Sequence, residues 1–126
     1  MNIEINRDYY LEQLISRMDN GLIKIVTGIR RCGKSYLLRT LFKKYLLEQG
    51  VSEDHIIEMA FDLYDNIEFR NPKVFYPWVK EKLQDGEKYY ILLDEVQMLD
   101  EFVSVLNGLA DKKNCDVFVT GSNAKF

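Results

Sequence analysis

The 126-residue chain predicts an α/β domain built on a mainly parallel sheet. Two observations carry that prediction. Short apolar, β-branched runs alternate with longer segments whose apolar residues recur every three to four positions. Strands that alternate with helices require crossover connections, which make neighbouring strands parallel. A third observation fixes the scale: one chain of this length builds one core, so residues 1–126 are expected to form a single domain.

The elements follow in order. A first helix is expected over Tyr9–Met18, ended by "DNG" at 19–21. "LIKIVT" (22–27) reads as a buried strand. From Ser35 onward, Leu37, Leu38, Leu41, Phe42, Tyr45 and Leu46 fall on one helical face and Arg39 and Lys43 on the other, until Gly50 stops the helix. "HIIEMAF" (55–61) is a second strand, with His55, the only histidine, at its edge. A polar loop then leads to Asn71-Pro72, an N-cap followed by proline at the first helical position. Phe75, Trp78, Val79 and Leu83 give that helix its apolar stripe. "YYILLD" (89–94) is a third strand, Phe102, Val105, Leu106 and Leu109 mark another helix, and "DVFVT" (116–120) is a fourth strand. The crossovers gather the loops that follow the strands at one end of the sheet, where ligands bind in such folds.

Composition narrows the function classes. Apolar residues make up 47% and charged residues 29%, as in ordinary globular domains. Net charge is −3 and the isoelectric point about 5.2, which argues against specific nucleic-acid binding. The charge is uneven: Gly28 to Leu47 holds six basic residues and no acidic one, expected as a solvated helix face plus a phosphate loop. No apolar run approaches membrane-spanning length. "MNIEINRDYY" has no basic and then apolar leader, so a cytoplasmic location is expected. Cys32 and Cys115 are far apart and form no metal spacing, so both are expected as reduced thiols.

The loop after the first strand reads "GIRRCGKS" (28–35). G-x-x-x-x-G-K-S is the spacing of a phosphate-binding loop. A chance match in a chain this long has a probability of about half a per cent, and this one also lies between a strand and an amphipathic helix, as the mechanism requires. Gly28 and Gly33 let successive backbone N–H groups turn inward, and the helix N-terminus adds partial positive charge. Lys34 can reach the β- and γ-phosphates and the Ser35 hydroxyl can ligate magnesium. The candidate nucleotide-binding segment is therefore Gly28, Ile29, Arg30, Arg31, Cys32, Gly33, Lys34, Ser35 and Tyr36, with ATP and Mg2+ as the ligands. Arg30 and Arg31 lie in the variable part of the loop, where they either pair with nearby acids or meet a partner subunit or DNA backbone. Cys32, near a helix start, is either a low-pKa thiol or a small residue that a tight loop tolerates.

The third strand ends in Asp94-Glu95. An aspartate there can hold magnesium, and an adjacent glutamate can polarise an attacking water as general base. After the fourth strand, "VTGSN" (119–123) is either a polar turn or a sensor in which Asn123, Ser122 or Thr120 orients the water or reads the γ-phosphate.

"IKIVTGIRRCGKSYLL", "YYILLDEVQ" and "VFVTGSN" together resemble prokaryotic AAA-type ATPases whose loop reads G-I-R-R-x-G-K-S and whose acidic motif reads D-E-x-Q. The resemblance covers essentially the whole chain. It implies a P-loop NTPase three-layer sandwich with an additional strand between the two motif strands and the sheet order 5-1-4-3-2. It implies Lys34 and Ser35 on phosphate and magnesium, Asp94 on magnesium, Glu95 as catalytic base, and Asn123 or Ser122 as first sensor. Gln97 matches the signature glutamine and receives no role. Members of the group continue past the point matching Phe126 with a fifth strand, an arginine finger and further regions, so the chain is expected to be an N-terminal ATPase core. Without a fifth strand, "LIKIVT" is expected to offer an open edge through which chains self-associate. The competing expectations are a nucleotide-binding switch or scaffold without turnover, and a fragment of a helicase-like motor. Helicase cores of that kind space the two motifs much further apart, and a small-molecule kinase has no need of an Asp-Glu pair after the third strand.

Overall fold

The computed structural model describes residues 3–27 and 31–121, the side chains of 3–8, 31 and 32 excepted. Four strands form one sheet: β1 (Lys24–Val26), β2 (Ile56–Ala60), β3 (Tyr89–Asp94) and β4 (Cys115–Thr120). All pairings are parallel and the order is β1-β4-β3-β2. This is the four-strand part of the expected order. The register sets Lys24 beside Phe118 and Tyr90 beside Asp116.

Side chains alternate between the two faces of this sheet, and each face is covered by helices. Ile57, Met59, Ile91, Leu93, Val117 and Val119 pack against Phe75 and Val79 of one helix and Val105, Leu106 and Leu109 of another. On the opposite face Ile56, Tyr90, Leu92, Phe118 and Val26 pack against Leu14, Leu37, Leu38, Phe42 and Leu46. The result is three layers, as the alternation of elements requires. Both faces of β3 and β4 are buried along their whole length, which is why those strands read as unbroken apolar runs.

The first layer contains α1 (Ile3–Ser16), α2 (Arg31–Tyr36), a π-helical section (Leu37–Phe42) and α3 (Lys43–Glu48). The last three form one rod, which starts four residues before the expected Ser35 and has a wider central turn. Its apolar stripe is the expected one: Leu37, Leu38, Phe42 and Leu46 are buried, and Leu41 and Tyr45 flank them. The rod ends in a Schellman motif. Val51 N–H donates to Leu46 O at 3.1 Å and Gly50 N–H to Leu47 O at 3.0 Å, with Gly50 at φ +93°. Arg39 and Lys43 are not freely solvated. Both pair with Glu58 of β2, Arg39 Nε at 3.3 Å and Lys43 Nζ at 2.5 Å, and the hydrogen bond that Lys43 donates to Glu58 raises the Lys43 pKa above its ordinary value.

The other layer contains α4 (Pro72–Lys82) and α5 (Phe102–Ala110). Asn71 caps α4 by accepting from the Lys73 N–H at 3.0 Å, with Pro72 at the first turn. The connection from β2 to α4 contains a 3-10 segment, Tyr64–Arg70. Two side-chain bonds tie it to the end of β2: Asn66 Nδ2 to Ala60 O at 3.0 Å and Arg70 Nε to Phe61 O at 2.8 Å. His55 precedes β2 and lies 3.0 Å from Asp85 Oδ2. No helix among the described residues is long and apolar enough to cross a membrane.

Candidate functional site

The parallel sheet brings the loops after β1, β3 and β4 to one end, as right-handed crossovers dictate. Gly28, Ile29 and Arg30 of the glycine-rich loop, and Ser122 and Asn123 after β4, lie outside the described residues. For Arg31 and Cys32 only the backbone is described, as the start of α2. The remaining candidates fall into two adjoining groups.

The first group centres on Lys34. Its side chain comes from α2, is 3% exposed, and donates to the backbone carbonyl of Gly121, the residue that follows β4. No carboxylate pairs with Lys34 among the described residues. A buried ammonium that has only a carbonyl dipole for a partner is poorly compensated.

The second group joins the ends of β3 and β4. Thr120, fully buried, donates from Oγ1 to Asp94 Oδ1 at 2.5 Å and accepts the Glu95 N–H at 2.9 Å. One hydroxyl therefore orients the aspartate and pins the backbone of the glutamate. Thr120 is one of the three alternatives for orienting a water or reading the γ-phosphate, and its hydroxyl is engaged with the acidic pair. Glu95 leaves β3 with φ +54° and ψ +53°, a left-handed conformation that few non-glycine residues adopt. Its carboxylate accepts from Gln97 Nε2 at 2.8 Å.

A cleft of about 610 Å³ opens between the groups, lined by Ser35, Tyr36, Arg39, Thr40, Glu58, Asp62, Asp94 and Glu95. Ser35 and Asp94 thus face one space, as their motifs predict. Asp62, just past β2, and Arg39 belong to the same wall but carried no sequence signal. Another cavity, about 510 Å³, runs along β2 between His55, Trp78, Asp85 and Tyr89 and holds no residue of the three loops.

A family model described as an AAA domain matches residues 20–126. The chain belongs to this AAA domain family. An AAA domain is a nucleotide-binding, ATPase-like unit, and the buried Lys34 near the start of α2 accords with that. The domain is 36% identical over 121 residues to an uncharacterized protein of Haemophilus influenzae, covering 95% of this chain and 30% of that protein. It is 24% identical over 125 residues to an uncharacterized protein of Methanocaldococcus jannaschii, covering 96% of this chain and 24% of that protein. The chain thus spans less than a third of the length of these relatives. No solved structure matches significantly.

The AAA domain also contains a buried charge pair that sequence reasoning missed. At the opposite end of the sheet, Lys24 Nζ pairs with Asp116 Oδ1, and both side chains are 3% exposed. Asp116 Oδ2 accepts the Asp19 N–H at 2.8 Å, and Lys24 also donates to Asn20 Oδ1 at 3.1 Å. The available signal was a lysine and an aspartate of opposite sign in two otherwise apolar strands. Cys115 beside it is a buried free thiol, and burial raises its pKa.

Proposed function

We propose that this AAA domain binds Mg-ATP in the cleft at the ends of β1, β3 and β4 and hydrolyses its terminal phosphoanhydride. The single observation that supports this most is Lys34: a buried cation with no carboxylate partner among the described residues, at the start of a helix whose loop has phosphate-binding spacing. Phosphate oxygens compensate that charge, and Lys34 then exchanges the Gly121 carbonyl for them. The donor set also fits magnesium. The Ser35 hydroxyl and the Asp94 carboxylate, both hard oxygen donors, line one cleft, and Mg2+ commonly takes one or two carboxylates with substrate phosphates and water. Bound magnesium supplies charge neutralisation at the phosphates.

The protein's own residues divide the remaining work. Asp94 is held in place by Thr120. Glu95 acts as general base and receives the proton of the attacking water. Ser122 or Asn123 acts as the first sensor beyond Gly121.

Thermal denaturation with ATP tests this reading. ATP at ten times its dissociation constant adds about 1.4 kcal/mol, a melting shift of roughly 4–7 °C for a domain of this size. Lys34→Ala is expected to abolish the shift. Glu95→Gln is expected to keep the shift and lose phosphate release. An equal shift in Lys34→Ala, or full turnover in Glu95→Gln, would refute the assignments.

We further propose self-association through the outer edge of β1. That edge faces no strand among the described residues, and Leu22 and Ile25 beside it are 67% and 44% exposed.

A further inference from the structure

Gln97 has an unusual placement. The left-handed backbone at Glu95 starts a single tight turn, Val96–Met98, that folds the Gln97 side chain back onto Glu95. Fully buried Val96 anchors the turn, and the Glu95 N–H is fastened to Thr120. Gln97 Nε2 donates to Glu95 Oε1 at 2.8 Å. The opposite amide orientation would set two acceptor oxygens against each other, so the carboxylate itself assigns the nitrogen. At the far end of the same amide, Gln97 Oε1 is buried and has no hydrogen-bond partner among the described residues. Buried acceptors are nearly always paired, and an unpaired one lowers stability. The hydrogen bond that the amide does make is to the carboxylate that lines the cleft.

We propose that Gln97 is the positioning residue of Glu95. Its N–H holds one carboxylate oxygen and fixes the orientation of the carboxylate in the cleft before ATP arrives. This rests on the reading of Glu95 as general base. A base acts only within hydrogen-bond reach of the proton that it takes, and the glutamate side chain has three rotatable bonds to lose that reach. The proton of the attacking water passes to Glu95, while Gln97 stays neutral and exchanges no proton. A displacement of about 1 Å in such a group costs about 100-fold in rate.

Three variants and one resonance test the proposal. Gln97→Leu removes the donor. Gln97→Glu keeps the shape and sets a second carboxylate against Glu95. Gln97→Asn keeps an amide on a shorter stem. The expected result is a kcat for ATP lowered about 100-fold in Gln97→Leu and at least as far in Gln97→Glu, with partial activity in Gln97→Asn. KM and the ATP-induced melting shift stay at wild-type values in all three. The Gln97 side-chain amide resonances, identified by their loss in Gln97→Leu, are expected to move in Glu95→Ala. Wild-type kcat in Gln97→Leu would overturn the proposal, as would amide resonances that are indifferent to Glu95→Ala. Loss of the ATP shift together with kcat would also overturn it, because that pattern belongs to a merely structural glutamine. Failure of the underlying reading looks different. Wild-type and Lys34→Ala proteins would then respond alike to ATP, or ATP would bind without turnover, and either result removes the base from Glu95 and the proposal with it.

Discussion

Replacing Thr120 with valine is the most direct probe of how the acidic pair is held. The two side chains have nearly the same shape, so packing changes little and the hydroxyl alone is removed. Two groups lose their partner: the Asp94 carboxylate, bound at 2.5 Å, and the Glu95 N–H, bound at 2.9 Å. Thr120 is fully buried, so solvent does not replace the hydroxyl at that position. A hydrogen bond to a charged group contributes about 1.5–3 kcal/mol and one between neutral groups about 0.5–1.5 kcal/mol. Thr120→Val is therefore expected to cost about 3 kcal/mol. That is roughly 10–15 °C in Tm at the size of this domain. Urea denaturation measures it as a lowered midpoint at unchanged slope. Thr120→Ser keeps the hydroxyl and loses one methyl, and is expected to cost about 1 kcal/mol. Equal losses in the two variants would refute the reasoning, since the methyl and not the hydroxyl would then carry the effect. Wild-type stability of Thr120→Val would refute it as well.

Two other expectations follow from the same sheet. Asp116→Ala strands the buried Lys24 ammonium and is expected to cost about 3–5 kcal/mol in urea denaturation, whereas the double replacement Lys24→Met/Asp116→Leu should recover most of that loss; a loss under 1 kcal/mol in the single variant contradicts the buried pair. Light scattering is expected to show a dimer or larger species at micromolar concentration, and Ile25→Lys on the outer edge of β1 should shift it toward monomer; a stable wild-type monomer across that range removes the self-association proposal.

The fold was legible wherever burial on both faces left an unbroken apolar run. "YYILLD" coincides with β3, and the fourth strand begins one residue before its expected start, at Cys115. Edges were less legible. "LIKIVT" contracts to Lys24–Val26, because Leu22 lies outside the pairing with β4 and is exposed. The helix before it begins at Ile3 rather than Tyr9, since Asn6, Arg7 and Asp8 give no apolar stripe to read. The 3-10 segment between β2 and α4 is tied down by side chains bonded to backbone five to ten residues away in sequence, which periodicity does not record. The site divides in the same way. Lys34, Ser35, Asp94 and Glu95 were picked out as candidates by local spacing, and the last three line one cleft. Thr120 as a bridge, Asp62 and Arg39 in the cleft wall, and the Lys34–Gly121 contact all depend on which strands become neighbours.

The strand order has a consequence for how the chain acquires its site. β1, which carries the glycine-rich loop, pairs among the described strands only with β4. Lys24 and Asp116 are 92 residues apart in sequence, and Lys34 and Gly121 are 87 apart. Each contact closes a loop of nearly the whole domain, and long closures come late because their entropy is lost before the contact is gained. The pair β2–β3, on the far side of the described sheet from β1, and its helix α4 can assemble first from nearer neighbours. During synthesis β1 therefore emerges early, yet it gains a described partner strand only once β4 has followed. A ligand held between the ends of β1 and β4 would then draw these long closures to their end.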